Sequence, residues 1–108
     1  ASIRVMESEM RKWPVNKPDL LLFTDDHLAQ GGLLALSAHG ILIPDDVRVV
    51  SLANKGLGPV WVEPVTRLEM NAFAHGAEIA RVVLAFLGGQ PFLQGLVLGS
   101  VWKRGKTF

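Results

Sequence analysis

The chain has 108 residues, of which 49% are hydrophobic, and its mean hydropathy is +0.30. This is enough apolar material for one compact core, while the length is too small for two domains. The 11 basic and 10 acidic side chains leave a net charge of +1, so the chain has no strong field with which to hold a nucleic acid by itself. The absence of cysteine excludes disulfides, thiolate zinc sites and cysteine nucleophiles, and it fits a cytoplasmic protein.

The first half of the chain predicts a helix, a strand, a second helix and a second strand. Residues 2–13 have the apolar spacing of a short amphipathic helix, and residues 20–23 form an apolar run typical of a strand buried on both faces. Side-chain oxygens at residues 24–26 can cap the next helix, which ends before a glycine. Residues 47–52 are β-branched and predict a second strand, so this half of the chain indicates a right-handed βαβ unit.

The second half predicts a short edge strand, a long helix and a returning strand. Residues 60–65 are extended but interrupted by a proline, which suits the edge of a sheet. Residues 71–87 carry apolar or small side chains at helical spacing, and residues 92–102 are rich in strand formers. The basic side chains of residues 103–106 are expected to lie on a solvated tail.

Two helices are expected to make contacts beyond their own strands. Gly31 and Gly32 cost a helix about 1 kcal/mol each relative to alanine, and close approach to the sheet or to a partner helix, as in a dimer, would offset that cost. The helix at residues 71–87 is apolar on more than one side, which predicts cover by a sheet and by another chain. In this chain alone, its stripe of Phe73, Leu84 and similar side chains would be left exposed.

Asp25, Asp26 and His27 form the densest polar cluster, where a predicted strand is followed by a helix. In open α/β sheets this crevice binds ligands, because helix N–H groups and loop side chains converge there. Three interpretations are open: a metal or acid–base site, a helix capped by Asp26 beside a solvated His27, or Asp25 as an acceptor for a small ligand. The first lacks further histidines or a nucleophile elbow, so we predict no metal, cofactor or catalytic residue.

Short motifs along residues 15–105 follow one another in a characteristic order. They are Asp25-Asp26 after a strand, Ala29-Gln30-Gly31 on a helix, Gly40 and Pro44-Asp45-Asp46 before a strand, and Thr66-Arg67-Leu68-Glu69 followed by Gly76. This order resembles the C-terminal half of the effector domains of LacI/GalR-family bacterial transcription regulators. In that family the strand ends in Asn-Asp and the helix carries Ala-x-Gly.

The resemblance implies an α/β fold, part of a two-lobe periplasmic-binding-protein-like domain with a parallel sheet and flanking helices. Residues 1–65 would belong to the C-terminal lobe, residues 66–91 to a crossover and a helix of the other lobe, and residues 92–108 to a returning strand and tail. The protein would be a cytoplasmic sensor and not an enzyme. It would bind a sugar-like or nucleoside-like effector and form a homodimer, or pair with the missing half of the domain. It would reach DNA only through an N-terminal head that this chain lacks.

This sequence matches the family's expected ligand-contact residues at some positions and differs from them at others. Asp25 stands where the family usually has an Asn that is expected to bond the effector, and Asp26 matches an Asp that is mostly a helix cap. The Asp that the family places after the second strand is Ala53 here, so either Asn54 substitutes for it or the usual sugar is not bound. Lys55 is either a partner for an acidic effector or a solvated loop lysine. We therefore predict ligand contacts at Asp25, Asp26, Asn54 and Lys55.

Two other classes of protein remain open at this point. A fragment of a transport-type sugar-binding protein would share the fold and would differ in its N-terminal extension, which would be a cleavable signal instead of a DNA-binding head. A fragment of an α/β enzyme is supported only by residues 25–27. Turnover that disappears on Asp25→Ala would favour it.

Overall fold

A four-stranded sheet forms the centre of the molecule. The computed structural model describes residues 2–13, 15–91 and 94–108. Across the sheet the strands follow chain order: β1 (Leu20–Phe23), β2 (Arg48–Asn54), β3 (Thr66–Met70) and β4 (Val101–Lys103). The first three strands are parallel, and β4 runs antiparallel to β3. The predicted α/β class is confirmed, although the sheet is mixed and not wholly parallel.

The helices are α1 (Ser2–Met10), α2 (Asp26–Ala38) and α3 (Ala72–Leu87), and the hydrophobic core lies between the sheet and the first two of them. α2 connects β1 to β2, as the βαβ pattern predicts, and its side chains Leu33 and Leu36 pack with Val49 of β2 in complete burial. Met6 brings α1 into the same cluster. Each such side chain contributes about 1.5–3 kcal/mol by leaving water, so α2 and β2 form the centre of the core.

Gly31 and Gly32 let α2 approach two neighbours at once. A Cβ atom at Gly31 would overlap Ser2 Oγ of α1, and a Cβ atom at Gly32 would overlap the ring of Phe23 on β1. The predicted close approach to the sheet is confirmed. The helix that Gly31 meets belongs to the same chain, so these glycines serve internal packing, while the predicted dimer contact of α2 stays a prediction.

We expect Gly32→Ala to lower the free energy of unfolding by about 1 kcal/mol. Displacing the Phe23 ring is an overpacking cost of about 1–3 kcal/mol, which exceeds the ~1 kcal/mol that alanine gains in helix propensity. Gly31→Ala is the matched control, because the Ser2 hydroxyl can rotate away, and the contact that remains, with Ser2 Cβ at 3.1 Å, needs only a small shift. Urea denaturation checks the order, and a Gly31→Ala protein less stable than Gly32→Ala would contradict this account of the packing.

α1 and β2 end at different residues from those predicted, for local reasons. α1 stops at Met10 instead of continuing to residue 13. Lys12 N and Trp13 N donate to carbonyls three residues earlier, at 3.0 and 3.1 Å, which is the tighter turn common at helix ends. β2 continues past residue 52 to Asn54, because Asn54 has a partner in Met70 of β3.

Residues 60–65 do not form the predicted edge strand. Val60 N donates at 2.7 Å to Gln30 Oε1 of α2, not to a neighbouring strand, and Pro64 has no N–H to donate. The third strand lies instead at Thr66–Met70, within the segment predicted as a crossover. The connection from β2 to β3 is therefore a loop that contains no helix.

The C-terminal segment is anchored in the sheet, which corrects the prediction of a free tail, although the basic side chains of Lys103, Arg104 and Lys106 are exposed as predicted. Thr107 is 1% exposed, and its Oγ1 donates to Val49 O at 2.8 Å and accepts from Thr66 N at 2.9 Å. Val49 N in turn donates to Thr107 O at 2.7 Å. The segment thus joins β2 and β3 where their own pairing begins. Of the predicted strand at residues 92–102, only Val101 and Trp102 belong to β4, and residues 92 and 93 lie outside the described residues.

α3 lies apart from the core. Asn71 caps it, since Asn71 Oδ1 accepts from Ala74 N at 3.0 Å, yet no residue of the helix is buried. Phe73 and Leu84 are 89% and 67% exposed, so the predicted exposure of this stripe is confirmed. Within the part of the chain that the structure describes, no helix has the length and apolar character needed to span a membrane.

Candidate functional site

The candidate ligand site lies at the carboxyl ends of the parallel strands. β1 ends immediately before Thr24, and β2 and β3 end at Asn54 and Met70. Because parallel strands point their carboxyl ends to one edge of the sheet, the loops after them converge there. They form a small cleft, which is lined by Thr24, Asp25, Asp26, Leu52, Ala53, Asn54 and Met70.

Asp25, and not Asp26, caps α2. Asp25 Oδ1 accepts from His27 N at 2.7 Å and from Leu28 N at 3.3 Å, with the extended backbone conformation of an N-cap residue. Asp26 occupies the first turn, where its negative charge interacts favourably with the helix dipole. Both hydrogen bonds of Asp25 use one carboxylate oxygen, so Oδ2 is the oxygen suited to accept from a ligand.

Asn54 lies in the cleft opposite the Asp25 loop, and Lys55 is not among the residues that line it. Lys55 N donates to Met70 O at 2.8 Å, which holds the start of the loop against the end of β3, while its side chain is exposed. The structure therefore brings together three of the predicted ligand residues, Asp25, Asp26 and Asn54. Lys55 lies beside them on the surface.

Thr24, Leu52 and Met70 also line the cleft and were not predicted from the sequence. Thr24 directly precedes Asp25, so its position after a strand was a signal that could have included it. Met70 could not be found in this way, because the sequence did not predict β3 as a strand. Its place in the cleft depends on the pairing of β3 with β2.

The cleft is too small to enclose a ligand. Its volume is about 50 Å³, whereas pockets for small molecules are roughly 300–1,000 Å³. The residues thus line a shallow cleft beside the N-terminus of α2. Among the described residues, no group of three or more metal-ligating side chains is arranged to hold a metal ion.

A larger crevice of about 720 Å³ lies at the opposite end of the strands, around Asp19 and Arg48. The Arg48 guanidinium lies 5.6 Å from the centre of the Phe108 ring, and Lys17 Nζ donates to Asp46 O at 2.5 Å. These contacts join the C-terminus and two loops to the amino end of the sheet. The crevice lies away from the converging loops that bind ligands in open α/β sheets, so its size does not make it the candidate site.

The part of the chain that contains the sheet and the cleft matches one protein family. The profile of the periplasmic binding protein-like domain matches residues 1–105, and this range includes all four strands and every residue of the cleft. The chain therefore belongs to the periplasmic binding protein-like domain family.

Solved structures of LacI-family transcriptional regulators have the same fold. One from Bifidobacterium animalis subsp. lactis is 17% identical with a TM-score of 0.80, over 98% of this chain and 38% of that chain. One from Arthrobacter sp. in complex with lactose is 22% identical with a TM-score of 0.77, over 99% and 40%. One from Lactobacillus casei with bound sucrose is 21% identical with a TM-score of 0.72, over 99% and 39%. This chain thus spans about two fifths of their length, and no curated protein matches it in sequence.

Proposed function

We propose that this chain is the effector-sensing part of a bacterial transcription regulator and that it is not an enzyme. The observation that carries the proposal is the position of Asp25, Asp26 and Asn54 in one cleft at the strand ends of a periplasmic-binding-protein-like fold. Structural neighbours that are LacI-family regulators contain lactose, sucrose or glucose. A sugar-like or nucleoside-like effector, rich in hydroxyl donors, fits these acceptor oxygens.

The cleft acts as one wall of a site that a second lobe completes. A ligand hydroxyl donates to Asp25 Oδ2, and Asn54 offers both a donor and an acceptor. Because the cleft of this chain is shallow, closure of the other lobe is needed to exclude water and strengthen these bonds. The effector thereby favours the closed state over the open state. It changes DNA binding only if it binds the closed and the open state with different affinities.

The rest of the proposal concerns the remainder of a longer protein. Regulators of this kind would act in the cytoplasm and read DNA through a separate N-terminal head. The chain itself, with a net charge of +1, has no strong field for nucleic acid. The four-stranded sheet with α1 and α2 would then form the C-terminal lobe, and α3 would belong to the other lobe, whose strands would cover its apolar stripe.

A homodimer contact is proposed on the outer side of α2. Leu28 and Leu34 are 42% and 49% exposed on this helix, and Val60 and Val62 of the neighbouring loop are 80% and 89% exposed. The hydrogen bond from Val60 N to Gln30 Oε1 joins that loop to α2. Apolar side chains on both segments are thus available for a partner, and a two-fold axis would pair the surface with itself.

We expect Asp25→Ser in the full-length protein to weaken sugar binding about 10- to 150-fold. This corresponds to the ~1.5–3 kcal/mol of a hydrogen bond to a charged group. Serine keeps an N-cap oxygen for α2, so the melting temperature should not change, and loss of affinity can be separated from loss of folding. Isothermal titration calorimetry with lactose, sucrose and glucose, and then with nucleosides, measures the effect.

Further measurements test the other parts of the proposal. If Lys55 pairs with an acidic effector, Lys55→Ala will reduce the preference for glucose 6-phosphate over glucose, and an unchanged preference will exclude Lys55 as a charge partner. Equal affinity of wild-type and Asp25→Ser protein would remove Asp25 from the site.

The class of protein is tested separately. Effector-dependent release of operator DNA supports a regulator, whereas a cleavable N-terminal signal supports a transport protein.

A further inference from the structure

A loop, and not a helix, covers β3 on the face of the sheet where α2 packs. In the parallel register, Ser51 lies beside Arg67 and Ala53 beside Glu69. Alternate residues of a strand share a face, so Arg67 and Glu69 lie on the face of Val49, which packs in the core with α2. The loop after β2 passes over these two charged side chains.

Glu69 is a buried carboxylate that binds the loop directly. The residue is 7% exposed, and Glu69 Oε2 accepts from Gly56 N at 3.1 Å. Arg67 Nε lies 3.2 Å from the same oxygen, but this buried N–H makes no aligned hydrogen bond within the described residues. The attraction between the two side chains is therefore mainly Coulombic, and removing the carboxylate would leave a partly buried cation without its counter-charge.

Two further contacts and one backbone conformation fix the same loop. Lys55 N donates to Met70 O at 2.8 Å. A Cβ atom at Gly58 would lie 2.8 Å from Arg67 Nη1, so a larger residue there would displace the guanidinium from its present position. Gly56 has φ +75°, a conformation that other residues rarely adopt. The loop is thus shaped around Arg67 and Glu69 over its first half.

We propose that the Arg67–Glu69 pair is a positioning element: it fixes the loop that begins at Lys55, directly after Asn54 at the end of β2, before an effector binds. The inference rests on the proposed function for the identity of the ligand, while the fixing of the loop stands on the contacts above. A loop that is already ordered loses less conformational entropy on binding. The pair therefore raises effector affinity without touching the effector.

Amide hydrogen exchange of the full-length protein tests the first part without any ligand. Glu69→Gln keeps an oxygen for Gly56 N but removes the charge, and Glu69→Ala removes both. We expect exchange at residues 55–58 to become about 10-fold faster in Glu69→Ala, less so in Glu69→Gln, and to stay unchanged in α2. Glu78→Gln is the matched control, since Glu78 on α3 is an exposed carboxylate whose pKa is lowered by its hydrogen bond to Arg81.

Exchange that is unchanged at residues 55–58 in both Glu69 variants would overturn the proposal. So would faster exchange spread evenly over the sheet and α2, because that result describes general destabilisation. If Glu69→Ala fails to fold, Arg67→Lys provides the second variant. It keeps the positive charge but loses the planar guanidinium that Gly58 lies against, and faster exchange centred on residue 58 is expected.

Calorimetry with lactose, sucrose and glucose tests the second part through a double-mutant cycle. Glu69→Ala should weaken binding by up to about 10-fold, and the effect should be smaller in an Asn54→Ala background, because Glu69 is expected to act through the loop that directly follows Asn54. Fully additive effects would show that Glu69 does not act through the loop and would overturn the positioning role. If wild-type protein binds none of these sugars, the proposed function fails for this ligand class, and the exchange result still decides whether the pair holds the loop.

Discussion

Gly105→Ala should lower the free energy of unfolding by about 3 kcal/mol. A Cβ atom at residue 105 would lie 2.6 Å from the carbonyl carbon of Pro64 and 2.8 Å from that of Val65. These are backbone atoms, so no side-chain rotation can relieve the clash. Overpacking costs about 1–3 kcal/mol. The displaced segment would also lose the bond from Gly105 N to Thr66 Oγ1, at 2.9 Å, which adds about 1 kcal/mol.

Urea denaturation of Gly105→Ala alongside Gly95→Ala measures this effect. Gly95 is the matched control, because a Cβ atom there would meet nothing within 4 Å. Thr107→Val keeps the side-chain shape but removes the hydroxyl that bridges β2 and β3, and it should cost about 1–3 kcal/mol, as expected for an unsatisfied buried group. If both variants were as stable as Gly95→Ala, the C-terminal segment would not anchor the sheet.

The 108-residue chain by itself is expected to self-associate, and Leu84→Asp is expected to weaken that association about 100-fold. α3 has no buried residue, and exposed contiguous apolar surface of this kind is rare on monomers. Covering Leu84 contributes about 1.5–3 kcal/mol, and an aspartate in its place would add the cost of burying a charge. Light scattering over micromolar concentrations measures the change.

A control on another surface distinguishes α3 from apolar surface in general. Leu42 is 60% exposed and follows α2, so Leu42→Asp removes a comparable apolar side chain without touching α3. It should leave the association unchanged. A stable, cooperatively folded monomer of the unmodified chain would refute the prediction. Association that survives Leu84→Asp would place the contact elsewhere, such as on the outer side of α2.

The local sequence pattern was sufficient for the elements whose signals lie within a few residues. The apolar run at Leu20–Phe23 and the helical stripe at Ala72–Leu87 gave the positions of β1 and α3 because hydrophobic period and end signals are local properties. The ligand edge of the sheet was also predictable, since Asp25 and Asp26 directly follow β1. Asn54 was predicted there from the family motif, and it lies in the same cleft.

Only the tertiary structure decided which residues pair across long stretches of chain. β3 became a strand because β2 and β4 supply its hydrogen-bond partners, while the similar apolar residues 60–65 bond to a side chain of α2 instead. The burial of Thr107 and the contact of Glu69 with the loop also join residues far apart in sequence. The sequence alone predicts a solvated tail and a solvated loop at these places. The hydrogen-bond partner of a backbone or carboxylate group can be identified only from the fold, which brings the two groups within about 3 Å of each other.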